Sequence, residues 1–373
     1  MDKIDEKGKR YKEYMQRIQG EKIPCYEPSL SEDEIENLIS VIKSSWLSEG
    51  KYTRTFEKKL STLCSRRYGL SFNNATAAMI VGMRCLGIGD GDDVIVPSFS
   101  HPADPNSIFQ TGANPIFADV NEESLCLDIA SIEKAMTDKT KAILYISAYG
   151  NVGNIEELSD FAKEKDLYLI NDCAPALGGI YKNRPIASFG DFSVLSFFAD
   201  KTITTGEGGM LLTDNAKLIE EANIYKHDGR RERGHDLIER IGYNFRITEM
   251  QTAIGVAQLG KLDKFIKRKK EIYSIYKEKL NGFSQIQVFK FSEDGDICPH
   301  RVIVMTDHSK SLIPYLSSKG IGVRTLFMPM HSQPIYGHKG KFPVTEKLFS
   351  RGVCLPSAPT LLDEEINFIC RTI

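Results

Sequence analysis

Short β-rich runs alternate with amphipathic stretches between residues 52 and 230, and this alternation restricts the possible folds more than any other feature. The runs predicted as strands are DVIVPSF (93–99), NPIFADV (114–120), KAILYISAY (141–149), DLYLIND (166–172) and FSVLSFF (192–198). Apolar strands separated by helices usually pair in parallel, with helices covering both faces of the sheet. The pattern therefore predicts an α/β domain built on a mostly parallel sheet.

A second α/β pattern follows a long helical region at 248–280 that is interrupted near Gly260. Its predicted elements are the strands RVIVMT (301–306) and IGVRTLF (321–327) and a final helix near 362–371. We expect three parts, namely an N-terminal extension (1–22), a large domain (23–250) and a linking helix with a small C-terminal domain (251–373). The extension has Tyr and Met positions suited to an amphipathic helix, but a solvated charged extension is the favoured interpretation.

Composition argues against several classes of function. The chain has 373 residues, of which 26% are charged, and a formal net charge of -2, so electrostatic binding to nucleic acid or to a membrane is not expected. We find no apolar run of the roughly 20 residues that a membrane helix needs, and no apolar secretory signal at the start. The eight cysteines are scattered without metal-ligand spacing. This pattern predicts a cytoplasmic protein without a metal site.

Two polar residues stand where an α/β sheet binds its ligands, beyond the carboxyl ends of strands. Asp172 closes the apolar run LYLI, although an acid at such a place is often only a helix cap. Lys201 lies in SFFADKTITTGEGG, between a predicted strand and the next apolar run, MLLT (210–213). The glycines permit tight turns, so the lysine is predicted to be held between two strands. An exposed, solvated lysine is the ordinary alternative.

The segment FNNATAAMIVGMRCLG (72–87) predicts a helix that begins near Ala75 and is capped by Asn74 or Thr76. Helix N-termini accept phosphate through unpaired amides and the helix dipole, although a plain capped helix is equally compatible with the segment. GIGDGD (87–92) leads into a strand, so it is not interpreted as a dinucleotide loop. The acid, the lysine and the helix start together match the needs of pyridoxal phosphate, which are a Schiff-base lysine, a carboxylate at the pyridine nitrogen and phosphate donors.

These segments resemble the DegT/DnrJ/EryC1/StrS family of sugar aminotransferases, and within it the perosamine synthases. The resemblance extends from about Ile23 to the C-terminus. The segments that carry it are SSWLSEGKYTRTFE (44–57), NNATAAM (73–79), GIGDGDDVIVPSFS (87–100), FGDFSVLSFFADKTITTGEGGM (189–210), GYNFRITEMQTAIGVAQL (242–259) and FMPMHSQPIY (327–336). The resemblance implies the type I aminotransferase fold, an α/β fold with a mostly parallel seven-stranded sheet in the large domain and a smaller C-terminal α/β domain.

The resemblance also implies how the cofactor is bound. Lys201 matches the Schiff-base lysine, and Asp172 matches the acid that pairs with the pyridine nitrogen. Ser196 matches the hydroxyl that binds the cofactor phosphate, and Ala75 and Thr76 match the phosphate contacts at the helix start.

Other matches concern the neighbouring subunit and the substrate. Asn244 matches an asparagine that reaches the phosphate from the neighbouring subunit, which implies a homodimer with shared active sites. His331 is predicted to contact the sugar, and Arg324 the nucleotide diphosphate, with a surface ion pair as the alternative for Arg324. Trp46 and Lys51 are predicted to border the neighbouring site, with core packing as the alternative for Trp46.

Three positions depart from the family pattern. Pro175 stands where the family usually has Gln or Glu near the cofactor's phenolic oxygen. His101 occupies the position of an aromatic residue that stacks on the pyridine ring, and Ser147 replaces a frequent histidine. These changes leave the lysine and the acid untouched, so an active but divergent enzyme is expected.

The implied reaction is transfer of an amino group from an amino acid, by analogy glutamate, to a nucleotide-linked keto-sugar. A 4-keto-6-deoxyhexose carried by GDP or dTDP is the expected acceptor. A pyridoxamine-dependent sugar dehydratase is disfavoured because such members replace the lysine with histidine. A non-catalytic cofactor-binding regulator and a type I enzyme acting on ordinary amino acids are the remaining alternatives.

Overall fold

A computed structural model describes residues 12–231, 234, 236–337 and 340–373. The described strands form a seven-stranded, a four-stranded and a three-stranded sheet. The strands are β1 (Tyr68–Phe72), β2 (Asp93–Pro97), β3 (Asn114–Ala118), β4 (Thr140–Ile146), β5 (Tyr168–Asp172), β6 (Ile180–Tyr181), β7 (Arg184–Pro185), β8 (Phe192–Ser196), β9 (Gly209–Thr213), β10 (Gln287–Val288), β11 (Gly295–Asp296), β12 (Val302–Met305), β13 (Arg324–Thr325) and β14 (Gly352–Leu355).

The helices fill the connections between these strands. They are α1 (residues 12–19), α2 (Glu32–Ser44), α3 (Lys51–Leu63), α4 (Ala75–Cys85), α5 (Ala103–Gln110), α6 (Ile129–Ala135), α7 (Ile155–Glu164), α8 (Ala216–Lys226), α9 (Glu249–Leu259), α10 (Leu262–Lys279), α11 (Ser309–Ser318), α12 (Pro343–Arg351) and α13 (Asp363–Thr372). No helix among the described residues is both long and apolar enough to cross a bilayer.

The large sheet has the strand order β1-β9-β8-β5-β4-β2-β3. The five strands from β8 to β3 are parallel, whereas β9 runs antiparallel to both of its neighbours. Every residue of β2 and β9 is buried, as continuous apolar strands covered on both faces should be. The predicted mostly parallel sheet is therefore confirmed. It places the carboxyl ends of β2, β4, β5 and β8 along one edge.

The small sheet, β10-β12-β14-β13, packs with α10 and α13 into a second apolar core. Ile23 belongs to this core and makes a parallel bridge with Ile321. The N-terminal segment around Ile23 thus packs with the small domain, whereas the sequence division places residue 23 at the start of the large domain. The strands β11, β6 and β7 form a third sheet that connects the two parts.

The described part of the N-terminal extension packs on the body of the protein. Met15 of α1 is 4% exposed, and Lys12 Nζ lies 2.7 Å from Glu365 Oε1 of α13. The sequence favours a solvated extension, and most residues from 12 to 22 are exposed, whereas Met15 and Glu21 are buried. Residues 1–11 of that extension lie outside the described residues.

Glu249, in the first turn of α9, binds the start of α3. The N-cap residue of α3 is Gly50, which has no side chain that could cap the helix. Glu249 Oε2 accepts hydrogen bonds from the Gly50 amide at 2.7 Å and the Thr53 hydroxyl at 2.8 Å. Its Oε1 accepts one from the Tyr52 amide at 2.6 Å. The buried carboxylate therefore satisfies amides that a helix start leaves without intrahelical partners.

We predict that Glu249→Ala lowers the free energy of unfolding by about 2–4 kcal/mol, because several buried donors lose a charged acceptor at once. Urea denaturation followed by circular dichroism measures the loss. Glu271→Ala is the control, because Glu271 forms an exposed pair with Arg268 at 3.5 Å. That change should cost less than about 1 kcal/mol. Equal losses in the two variants would contradict the capping role of Glu249.

Candidate active site

Asp172 and Lys201 lie beyond the same edge of the large sheet. Asp172 ends β5, which pairs in parallel with β8, and Lys201 follows β8 in a turn where its amide donates to the Phe198 carbonyl at 3.0 Å. Burial raises the pKa of Asp172, and the Ala174 amide and the positive charge of Lys201 partly offset this rise. The structure thus brings the predicted acid and the predicted lysine into electrostatic contact.

A second acid, Asp200, also faces the lysine. Lys201 Nζ lies 3.6 Å from Asp200 Oδ1, and Asp200 Oδ2 lies 2.7 Å from Arg301 Nη2. Burial alone would raise the pKa of Asp200, but Lys201, His300 and Arg301 together hold it well below its ordinary range. Asp200 is therefore a permanent counter-charge for the lysine. Sequence reasoning missed it, although its position next to Lys201 was the available signal.

His101 lies in the turn after β2, with an exposed surface in the cleft. Its Nδ1 accepts a hydrogen bond from the Ala103 amide at 3.2 Å. Partial burial and the charge of Lys201 lower the pKa of His101. Both observations favour the neutral ring at neutral pH, so the imidazole can offer an uncharged aromatic surface. Phe327 supports it in an edge arrangement with 6.4 Å between ring centroids.

Ser196 and the start of α4 meet at one place through Gly209. Ser196, at the end of β8, is the register partner of Gly209 in β9. A Cβ atom added to Gly209 would lie 2.4 Å from the Ala75 amide nitrogen, so only glycine allows this approach. Asn74 caps the helix by accepting from the Ala77 amide at 2.8 Å. The first-turn amides of α4 have no intrahelical acceptor, so this helix start can donate hydrogen bonds to an anion next to the end of β8.

Two of the departures from the family pattern lie beneath the cleft. Ser147 is fully buried, and its amide donates to the Asp172 carbonyl at 3.1 Å. Pro175 is buried as well. Cys173, which directly follows Asp172, is also fully buried, and burial raises the pKa of its thiol well above the ordinary value. Cys173 is thus held as a neutral thiol.

Asn244 and Trp46 are exposed at the surface. Asn244 makes an antiparallel backbone bridge with His227. Trp46 is 57% exposed, and its indole nitrogen donates to the Glu49 carbonyl at 3.0 Å. Core packing of Trp46 is therefore wrong for the described chain. Lys51 is exposed at the first position of α3.

His331 and Arg324 occupy different surroundings. His331 is nearly buried, with Nδ1 2.6 Å from the Ser98 hydroxyl and Nε2 3.3 Å from Glu346 Oε1. This contact packs the His331 segment on the turn after β2. Ser98 lies in that turn, close to His101 in sequence. Arg324 forms an ion pair with Glu21 at 2.8 Å, so a nucleotide would have to compete with Glu21 for the guanidinium.

Asp104 is the most unusual side chain of the site, and sequence reasoning missed it. It lies in the first turn of α5, has no exposed surface and faces the carboxyl group of Asp172. Burial, followed by the charge of Asp172, raises the pKa of Asp104 well above its ordinary value. No group of three or more potential metal ligands occurs within the described part of the chain.

A lysine and an acid beyond adjacent parallel strands, near a helix start with free amides, are the arrangement that a pyridoxal-phosphate enzyme of the type I fold requires. Comparison with known sequences gives the family. The profile of the DegT/DnrJ/EryC1/StrS aminotransferase family matches residues 28–373, and the chain belongs to this family. It is accordingly an aminotransferase with pyridoxal phosphate as its cofactor.

Individual relatives cover nearly the whole chain. The GDP-perosamine synthase of Escherichia coli O157:H7 is 40% identical over 94% of this chain and 97% of its own length. The GDP-perosamine synthase of Vibrio cholerae is 38% identical over 94% and 98%. A Streptococcus pneumoniae protein assigned as a sugar aminotransferase, solved in its PLP form, superposes with a TM-score of 0.87 and is 27% identical, covering 94% of this chain and 97% of that one.

We predict that Gly209→Ala weakens binding of pyridoxal phosphate at least about tenfold, because the new methyl group would separate the helix start from Ser196. Titration of the cofactor-free protein with pyridoxal phosphate, followed by absorbance, measures the affinity. Gly89→Ala is the matched control, since its nearest contact would be 3.4 Å, an ordinary van der Waals distance. Unchanged affinity in Gly209→Ala would contradict this placement of the phosphate.

Proposed function

We propose that this enzyme transfers the amino group of an amino acid, glutamate, to a nucleotide-linked keto-sugar of the 4-keto-6-deoxyhexose class. The observation that carries the proposal is the placement of Lys201 beside Asp172 at one sheet edge, in a chain 40% identical to a GDP-perosamine synthase. The aminated sugar would serve surface polysaccharide synthesis, such as that of O-antigen.

Lys201 has two tasks in this proposal. Its amine holds the cofactor covalently at rest, and once an amino acid has displaced it, the free amine moves a proton to and from the substrate carbon. Pyridoxal phosphate, when bound, supplies a ring that accepts electrons from that carbon. Asp200 lies 3.6 Å from the amine. It helps to hold the amine in the cleft once the amino acid has displaced it from the cofactor.

Asp172 would keep a proton on the ring nitrogen of the bound cofactor. Opposite charges about 4 Å apart attract by roughly 4 kcal/mol at an effective dielectric constant of about 20. This energy corresponds to about three pKa units at most, which holds a pyridinium at neutral pH. His101 would offer a neutral imidazole to the face of the ring, and Ser196 would bind the phosphate together with the amides of Ala75 and Thr76.

A homodimer is supported by an exposed apolar face on α2. Ile35, Ile39 and Ile42 recur at helical spacing and are 38%, 48% and 58% exposed, and Trp46 continues the face at 57%. Apolar side chains lined up in this way usually mark a protein interface. We assign this face to a second copy of the chain.

The segments expected to reach the neighbouring site are linked to one another. Glu49, three residues after Trp46, lies 2.8 Å from His227 Nε2 and 2.7 Å from Lys226 Nζ. His227 in turn pairs with Asn244 through the backbone. Because one carboxylate holds both segments, Trp46 and Asn244 would approach the partner's cofactor as a unit. His331 would contact the sugar, and Arg324 the nucleotide after exchange of its partner Glu21.

We predict that Lys201→Ala abolishes amino transfer while keeping weak, non-covalent cofactor binding. Purified wild type should absorb in the visible, and borohydride should fix the cofactor on Lys201, as mass spectrometry of peptides would show. Lys141→Ala is the control, because Lys141 lies at the opposite edge of the sheet and pairs with Asp92. Full turnover by the Lys201 variant would refute the assignment.

The acceptor is tested with a panel of GDP- and dTDP-linked keto-sugars, with glutamate as donor and mass spectrometry of the products. An aminated 4-keto-6-deoxyhexose supports the proposal. Loss of oxygen from the sugar without gain of nitrogen would indicate a dehydratase. A visible band that glutamate leaves unchanged would indicate a non-catalytic regulator.

We predict that Ile39→Asp yields a monomer with weakened cofactor affinity, because a charge on the α2 face opposes burial and removes Asn244 of the second copy from the site. Sedimentation velocity measures the assembly, and absorbance measures the cofactor. Tyr315→Asp, on the 48% exposed side chain of α11, is the control and should leave both unchanged. A dimeric Ile39→Asp protein would contradict the use of this face.

A further inference from the structure

Asp104 lacks the partners that a buried carboxylate needs. It has no exposed surface, and neither of its carboxyl oxygens accepts a hydrogen bond from an N–H or O–H group of the described residues. An unpaired buried carboxylate is costly in free energy, so such a group takes up a proton instead. The polar side chain that Asp104 does contact is the carboxyl group of Asp172.

Two carboxyl groups form a hydrogen bond only when one of them carries a proton, and their surroundings decide which. Asp172 Oδ1 accepts from the Ala174 amide at 2.9 Å, and the charge of Lys201 also favours the ionised form of Asp172. At Asp104, burial and the negative charge of Asp172 raise the pKa of the carboxyl group, and the backbone of His101 and the charge of Lys201 offset this rise only in part. The proton therefore resides on Asp104.

The other groups around Asp104 do not change this assignment. Lys201 acts on Asp104 more weakly than burial and Asp172 do. The Tyr336 hydroxyl also interacts electrostatically with Asp104, but it donates its hydrogen bond to Asn106 Oδ1 at 2.9 Å rather than to the acid.

We propose that Asp104 is a positioning residue, a neutral acid that donates a hydrogen bond to Asp172 and thereby orients and weakens Asp172 as a base toward the cofactor nitrogen. The role toward the cofactor rests on the proposed function. A donor on Asp172 spreads its negative charge, so Asp172 holds the pyridinium without removing its proton. With the Ala174 amide on Oδ1 and Asp104 as a second donor, the carboxylate has one orientation left for the ring.

The proton on Asp104 is tested first in cofactor-free protein. Infrared difference spectra of wild type against Asp104→Asn at neutral pH should show the C=O stretch of a protonated carboxyl group, shifted in deuterium oxide. Asp214→Asn is the control: Asp214 pairs with Arg66 at 3.0 Å, which lowers its pKa, so the control should lose an ionised carboxylate band. Absence of the protonated band from wild type would overturn the proposal, whether or not the protein binds pyridoxal phosphate.

The effect on Asp172 is tested in protein loaded with pyridoxal phosphate, by titrating the visible absorption band against pH. Asp104→Asn keeps a neutral donor, so its midpoint should stay within about 0.3 pH unit of wild type. Asp104→Val removes the donor and concentrates the charge on Asp172, which should raise the midpoint by about 0.5–1 unit. A lowered midpoint in Asp104→Asn would show that Asp104 is ionised and would overturn the proposal. An unshifted midpoint in a folded Asp104→Val protein would do the same.

If Asp104→Val does not fold, as judged by circular dichroism, the infrared band and the Asp104→Asn midpoint decide the matter. Failure to bind pyridoxal phosphate would count against the proposed function, whereas the infrared result bears on the proton of Asp104 alone.

Discussion

The attraction between Lys201 and the acids around it is the interaction on which the site depends. Asp172 and Asp200 both interact electrostatically with the lysine, and burial opposes the ionised form of both acids. Each acid can remain ionised there because a cation faces it. The rigid pairing of β5 with β8 fixes the distance between the strand ends that carry these charges. A ligand that displaces one of these charged groups must therefore supply a charge of the same sign.

The small domain contributes a charged and an aromatic side chain to the surroundings of the site. Arg301, which directly precedes β12, reaches Asp200 at 2.7 Å, and it also stacks over Tyr26 with 5.3 Å to the ring centroid. Phe327 packs on Tyr149 with 4.7 Å between ring centroids. A cation and an aromatic ring from the second domain thus support the lysine turn and the histidine turn. The position of the small domain is consequently part of the electrostatics of the site.

Much of this arrangement was predictable because it depends on local pattern. Continuous apolar runs identified the parallel strands, and the Asn74 cap located the start of α4. The strands β1 and β14 were missed, since YGLSF and GVCL are short and lack a clear period. Of the predicted strand at 321–327, only Arg324–Thr325 forms a strand. Gly322, just before it, packs closely against the Cys25 amide. Asp104 was invisible because an acid in the first turn of a helix looks like an ordinary dipole partner, and its actual partner is distant in sequence.

The contact between Gly209 and Ala75 has a consequence for how the nascent enzyme matures. The helix start is made early in synthesis, but it gains its close neighbour Gly209 only when β9 has inserted between β8 and β1. Domains emerge from the ribosome N-terminal end first, so the early strands must assemble without help from the cofactor. Cofactor binding would then follow the assembly of these strands and would not guide it.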